Sequence, residues 1–157
     1  MLVSEGVLKW AMRLYPPLFF QRIVVVGFED GFRAVEVKVK KSFFNKNPNK
    51  SIFGGTIFSA ADPFYPMLFY QVLVHKGYNV KAWSHSLAIR FRKPAKTDLH
   101  FKINITDENI KDCELALNTV GRYRITLPIE IYDKTGLLCV SVLSKTYIRN
   151  LNFNAEI

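Results

Sequence analysis

Cysteine and histidine are scarce in this chain, with two of the first and three of the second in 157 residues. Cys113 and Cys139 have no partner cysteine or histidine at ligand spacing, so neither a zinc site nor a disulfide framework is encoded. His75, His85 and His100 show no ligand spacing either, and no metal is expected. Also missing are a Gly-x-Ser-x-Gly elbow, a Walker loop and a Gly-x-Gly-x-x-Gly turn, which leaves serine hydrolase, nucleotidase and dehydrogenase readings without support. No repeat or linker divides the sequence, so one domain over 1–157 is expected. Unpaired cysteines suit a reducing compartment. Glu5, Lys9 and Arg13 recur at helical intervals with no small-residue cleavage site, which argues against a signal peptide and for a cytoplasmic protein.

Acidic residues are outnumbered, 13 against 22 basic, for a formal charge of +9. Such a balance favours an anionic partner: a nucleic acid, an anionic lipid surface or a phosphate-bearing ligand. The longest apolar stretch, Ile52 to Val74, contains 23 residues and no Lys or Arg, enough to cross a bilayer. In lipid, however, Asp62, Pro63, Pro66, Gln71 and the hydroxyls of Thr56 and Ser59 would each need an internal partner. A helix buried in a protein core is expected instead, with no stable membrane insertion.

Ser4 caps a first helix over about 4–15, whose Val7, Leu8, Ala11, Leu14 and Tyr15 recur on one face, and Pro16-Pro17 ends it. Phe19 to Phe28 and Arg33 to Lys41 read as a hairpin around Glu29-Asp30-Gly31, with Val35, Val37 and Val39 inward. The loop from Asn45 to Lys50 leads into a central helix over about 55–75. Strand-like alternation then returns in Val80–Arg92, from Leu99 to Ile105, from Tyr123 to Ile131 and in Leu137–Arg149. Glu108 to Val120 reads either as a short helix or as an extended connection, and the tail from Asn150 looks loose. The expected fold is α+β: a long central helix wrapped by an antiparallel sheet of about six strands.

Within the central helix, Ile57, Phe58, Ala61, Phe64, Tyr65, Leu68 and Phe69 keep core spacing, while Thr56, Ser59 and Asp62 step by three along another stripe. Gly54-Gly55 opens the helix, where unpaired amides and the positive dipole end meet. Gly54, Gly55 and Asp62, with Ile57-Phe58-Ser59 between, resemble the His-Gly-Gly, six residues, Asp pattern of the hot-dog thioesterase superfamily, especially its phenylacetyl-CoA thioesterase-like branch. Phe91-Arg92-Lys93-Pro94-Ala95, Asp98-Leu99 and Gly136 are similar to later parts of the same pattern. More narrowly, Asn45-x-Asn47 and Ala61-Asp62-Pro63 resemble an uncharacterised, thioesterase-like hot-dog family of mainly bacterial proteins. Phe53 departs from the pattern, standing where the histidine would be.

The resemblance implies a hot-dog fold and an acyl-CoA thioesterase. In it the Gly55 N–H stabilises the oxyanion and Asp62 acts as nucleophile or general base. Gly54, Phe53, Thr56, Ser59 and Asn47 would lie at the substrate, and Arg90, Arg92 and Lys93 would meet the phosphates of coenzyme A. No cofactor is expected beyond coenzyme A as part of the substrate. The implied assembly is a homodimer with an acyl tunnel between subunits, pairing of dimers into a tetramer being left open. Blander readings stand beside these: Asp62-Pro63 also suits a restarted helix with Asp as its cap, Gly54-Gly55 suits close packing, and the basic strand residues suit a solvated face. Two rival functions remain, a non-catalytic acyl- or lipid-binding protein and a basic nucleic-acid-binding domain. No nucleic acid is expected, because strand alternation hides most aromatics.

Overall fold

The computed structural model describes residues 2–154. Helices α1 (Glu5–Leu14) and α2 (Pro16–Phe19) precede strands β1 (Ile23–Glu29) and β2 (Ala34–Val39). A 3₁₀ turn, Phe43–Asn45, leads to α3 (Gly54–Ala61) and α4 (Phe64–His75). Then come β3 (Val80–Phe91), β4 (Leu99–Asn104), α5 (Asp107–Thr119), β5 (Arg122–Asp133) and β6 (Leu138–Asn150). The strands form one curved antiparallel sheet in the order β1-β2-β4-β5-β6-β3.

Period-two alternation turns Val35, Val37, Phe101, Ile103, Ile131, Val140 and Val142 to one face, where all are buried. Against that face lies the long helix formed by α3 and α4, apolar nearly all round because the sheet curves about it. Strands β4 and β5 pair only at Leu99–Asp133 and His100–Tyr132 and then diverge. Beyond that point the Tyr65 hydroxyl, on α4, donates to the Pro128 carbonyl at 2.7 Å, and burial pushes its pKa up to about 12.

The first strand begins at Ile23, later than the expected Phe19, because Pro16-Pro17 fix φ for another helical turn instead of merely ending α1. The ambiguous segment after β4 is helical. Thr106 and Asn109 form a reciprocal capping box, and Asp107 and Glu108 sit at the positive dipole end. The chain past Asn150 is tied where it is described: the Leu151 amide donates to the Asn79 carbonyl, and Phe153 covers Gly121 so closely that a Cβ there has no room. Residues 155–157 of the tail read as loose lie outside the described residues.

Helix α1 buries little of its apolar face. Its buried side chain is Met12, with Leu8 half-buried, whereas Val7, Ala11, Leu14 and Tyr15 face solvent. The reason is the edge of the sheet: the Arg13 guanidinium donates to the Val25 carbonyl at 2.7 Å and to Val26, which fixes the helix against β1 and occupies that strand's free acceptors. At the opposite edge, β3 is twelve residues long and pairs with β6 on one side only, Leu8 of α1 sharing a cleft with its Ala82–Ser84 stretch, and a bulge between Ser84 and Ser86 leaves His85 out of register.

Candidate functional site

Asp62 and Pro63 put a step in the long helix. Asp62 keeps helical angles, φ −66° and ψ −54°, and its amide donates to the Phe58 carbonyl at 3.1 Å, so α3 closes normally. The ladder fails at the next links, since Pro63 and Pro66 carry no N–H for the carbonyls four residues earlier. One of those carbonyls belongs to Asp62, and the Ser84 hydroxyl of β3 supplies the missing donor at 2.6 Å. Ser84 is thus a site residue that sequence reasoning missed. Its only signal was Pro66 standing four places after Asp62, which leaves a carbonyl free but does not say which donor reaches it.

The Asp62 carboxylate has no hydrogen-bond or ion-pair partner among the described residues, and it caps no amide of α4. This weighs against the cap reading. The half-buried side chain lines a cleft of about 500 Å³ with Pro66, Met67, Tyr70, Gln71, Trp83 and Ser84. Gln71 is buried there, and its Oε1 has no partner among the described residues.

Gly54 and Gly55 open α3 behind Phe53, whose carbonyl accepts from Thr56 at 3.0 Å and from Ile57 at 3.3 Å. The two glycine amides precede any intrahelical acceptor and stay free for an anion. Aromatic rings crowd both positions: a Cβ on Gly54 would lie 3.1 Å from Phe91 Cζ, and one on Gly55 would overlap the Phe53 ring at 2.3 Å. A side chain at either position would have to push the neighbouring ring aside, and the exposed Phe53 ring covers the place where the oxyanion reading puts an acyl group.

A second cleft, of about 390 Å³, brings Gly54 together with Asn47, Ile57, Phe91, Arg92 and Lys93. Arg92 is held by a 2.7 Å hydrogen bond from Nε to Ser141 Oγ, leaving the rest of the guanidinium to the solvent side. Asn47 is committed to its loop, its Oδ1 accepting from the Ser51 amide and hydroxyl at 3.1 Å. Neighbouring Asn45 is buried and ties the Gln21 and Lys40 carbonyls together, which holds the loop that delivers Phe53. Arg90 lies on another shallow surface, beside Glu130 and Ser141. Thr56 is buried under the helix start, and Ser59 returns its hydroxyl to the Gly55 carbonyl at 3.0 Å. Within one chain, then, Arg92, Lys93 and Gly54 share a cleft and Asp62 lines a different one.

The described residues hold no group of His, Cys, Asp or Glu gathered for a metal, and no helix among them is long and apolar enough to cross a membrane. Both cysteines are buried.

A long stepped helix opened by two glycines and wrapped by six curved antiparallel strands is the hot-dog fold, shared with solved structures that include proteins named thioesterases. Residues 4–148 match the family described as a domain of unknown function, DUF4442, and the chain belongs to that family. A Pseudomonas aeruginosa protein of unknown function, named a probable thioesterase, is similar with a TM-score of 0.79 at 18% identity, over 96% of this chain and 98% of its own. A Haemophilus influenzae thioesterase is similar at TM-score 0.69 and 12% identity, covering 99% and 100% of the two chains. The E. coli PaaI protein of the phenylacetic acid degradation operon gives 0.62 and 14%, covering 95% and 97%. At these identities the likeness establishes the fold. Comparison with curated proteins gives no match.

Proposed function

We propose that this protein is an acyl thioester hydrolase, acting on a coenzyme A thioester in the cytoplasm. The observation that carries the reading is the Asp62 carboxylate, unpaired at a helix step in a largely apolar cleft, on the same helix as two free glycine amides. Asp62 attacks the thioester carbonyl or takes a proton from the attacking water, and the Gly55 N–H receives the developing oxyanion. The thiolate leaves without needing an acid, its pKa being about 8.5. Arg92 and Lys93, beside Gly54, take the phosphates of coenzyme A, with Arg90 further out.

Such a site needs two copies of the chain. Gly55 and Asp62 are seven residues apart, roughly 10 Å along a helix rising 1.5 Å per residue, too far for both to touch one carbonyl. Pairing of the free β3 edges about a two-fold axis continues the sheet and lays the long helices antiparallel. Gly55 of one copy then faces Asp62 of the other, and the acyl chain runs between them.

A second reading rests on Phe53. With its ring over Gly55, the fold serves as an acyl carrier or sensor that binds without turnover. Thiol release from short, long and aromatic acyl-CoAs, measured beside binding of a non-hydrolysable acyl-CoA analogue, separates the two. Release supports hydrolysis; tight analogue binding with no release across the panel replaces it with the second reading.

A further inference from the structure

We propose that the end of the molecule built from α1, α2 and the Phe43–Asn45 turn docks on the surface of an anionic lipid bilayer. The apolar side of α1 faces outward, and what continues it is aromatic. Trp10, Leu14 and Phe19 surround a shallow cleft together with Arg13, Arg22 and Lys40. Phe20 is 71% exposed, Phe43 77% and Phe44 85%, values that no packing in the chain explains. Asn45 joins these segments, since its amide nitrogen holds both the Gln21 and Lys40 carbonyls and so ties the Phe43–Asn45 turn to the residue that follows Phe20.

The charge around the rings is of one sign. Residues 6–28 and 37–61 carry Lys and Arg but no Asp or Glu. Two flanking carboxylates are engaged: Glu5 accepts from the Phe32 amide, and Asp98 from the Lys41 amide with Lys38 at 3.9 Å. The cations are set against the rings, Arg13 4.9 Å from the centroid of Trp10 and Lys46 4.6 Å from that of Phe43. An interfacial protein needs this arrangement, with rings and Leu14 at the acyl boundary and cations at the level of anionic headgroups. A second copy of the chain is a poor occupant, because it would bring the same cations face to face. Leu14 and the phenyl rings suit hydrocarbon better than a phosphodiester backbone. As no described helix is long and apolar enough to span, the contact is peripheral.

Sedimentation with phosphatidylcholine vesicles, with and without phosphatidylglycerol, tests this on the full chain. Binding is expected only with the anionic lipid and is expected to weaken as salt rises. In a Trp83→Phe variant, the fluorescence of Trp10 should shift to the blue on vesicle addition. The exposed triple variant Phe20→Ser, Phe43→Ser, Phe44→Ser should bind about tenfold more weakly or worse while keeping its far-UV circular dichroism. Arg22→Glu with Lys40→Glu should lose the preference for anionic lipid. The proposal is overturned by equal binding to both vesicle types, by binding to neither, by undiminished binding of the triple variant, or by tighter binding to single-stranded DNA than to vesicles. It is equally overturned if the triple variant changes only the oligomeric state, which would assign the surface to a second copy.

Discussion

Two crippled variants, Asp62→Asn and Gly55→Pro, should restore each other when mixed. Proline fits the first turn of α3, where the residue 55 amide has no intrahelical acceptor, and it deletes the oxyanion donor once the exposed Phe53 ring swings away. Each variant alone lacks one half of both sites in its dimer. Denatured together and refolded, about half of the dimers are mixed, and each mixed dimer has one intact site and one doubly defective site. The recovered rate per total protein is then about one quarter of the unmodified protein's. Thiol release with a chromogenic reagent reads this cleanly because Cys113 and Cys139 are both buried and contribute no background. A mixture no faster than the average of its parents would refute the two-copy site.

Other perturbations test the fold that holds the site. Tyr65→Phe removes the hydrogen bond to Pro128 and should cost about 1 kcal/mol, lowering Tm by about 2–4 °C in thermal denaturation. Gly55→Ala should change Tm little alone, because moving the exposed Phe53 ring aside offsets the gain, but should raise Tm in a Phe53→Ala background, where the overlapping ring is gone and the loss of glycine's unfolded-state freedom remains. Burial pushes the Cys113 thiol from an ordinary 9.0 up to about 12, so the unfolded chain loses that proton first. The stability this group contributes is complete below pH 9.0 and falls as pH rises toward 12, by at most about 1.4 kcal/mol per pH unit. Urea titrations across that range should show a shallower alkaline slope for Cys113→Ala.

The sheet and the long helix were legible because their apolar periods are unambiguous: Val35, Val37 and Val39 alternate, and Phe64, Leu68 and Phe69 fall on one helical face. The step at Asp62-Pro63 was legible from proline chemistry, and Gly54-Gly55 from helix-start chemistry. What closes the step was not, because Ser84 lies 22 residues away and bonds to a backbone atom, which no pattern of side chains encodes. The face that α1 turns to the sheet was not legible for a similar reason. Its apolar residues outnumber those that β1 needs, and the choice of face was made by Arg13 reaching the Val25 and Val26 carbonyls. The α5 helix carried its signal in Thr106 and Asn109, a capping pair that a search for apolar periodicity passes over.

The carboxylate at the step carries the functional account, and steady-state hydrolysis of the best acyl-CoA by the unmodified protein and by Asp62→Asn tests it most directly. Loss of the attacking or proton-accepting group predicts a fall in kcat of about 100- to 10,000-fold, with Tm held and binding of the non-hydrolysable analogue unchanged. Equal kcat values for the two proteins would contradict the account.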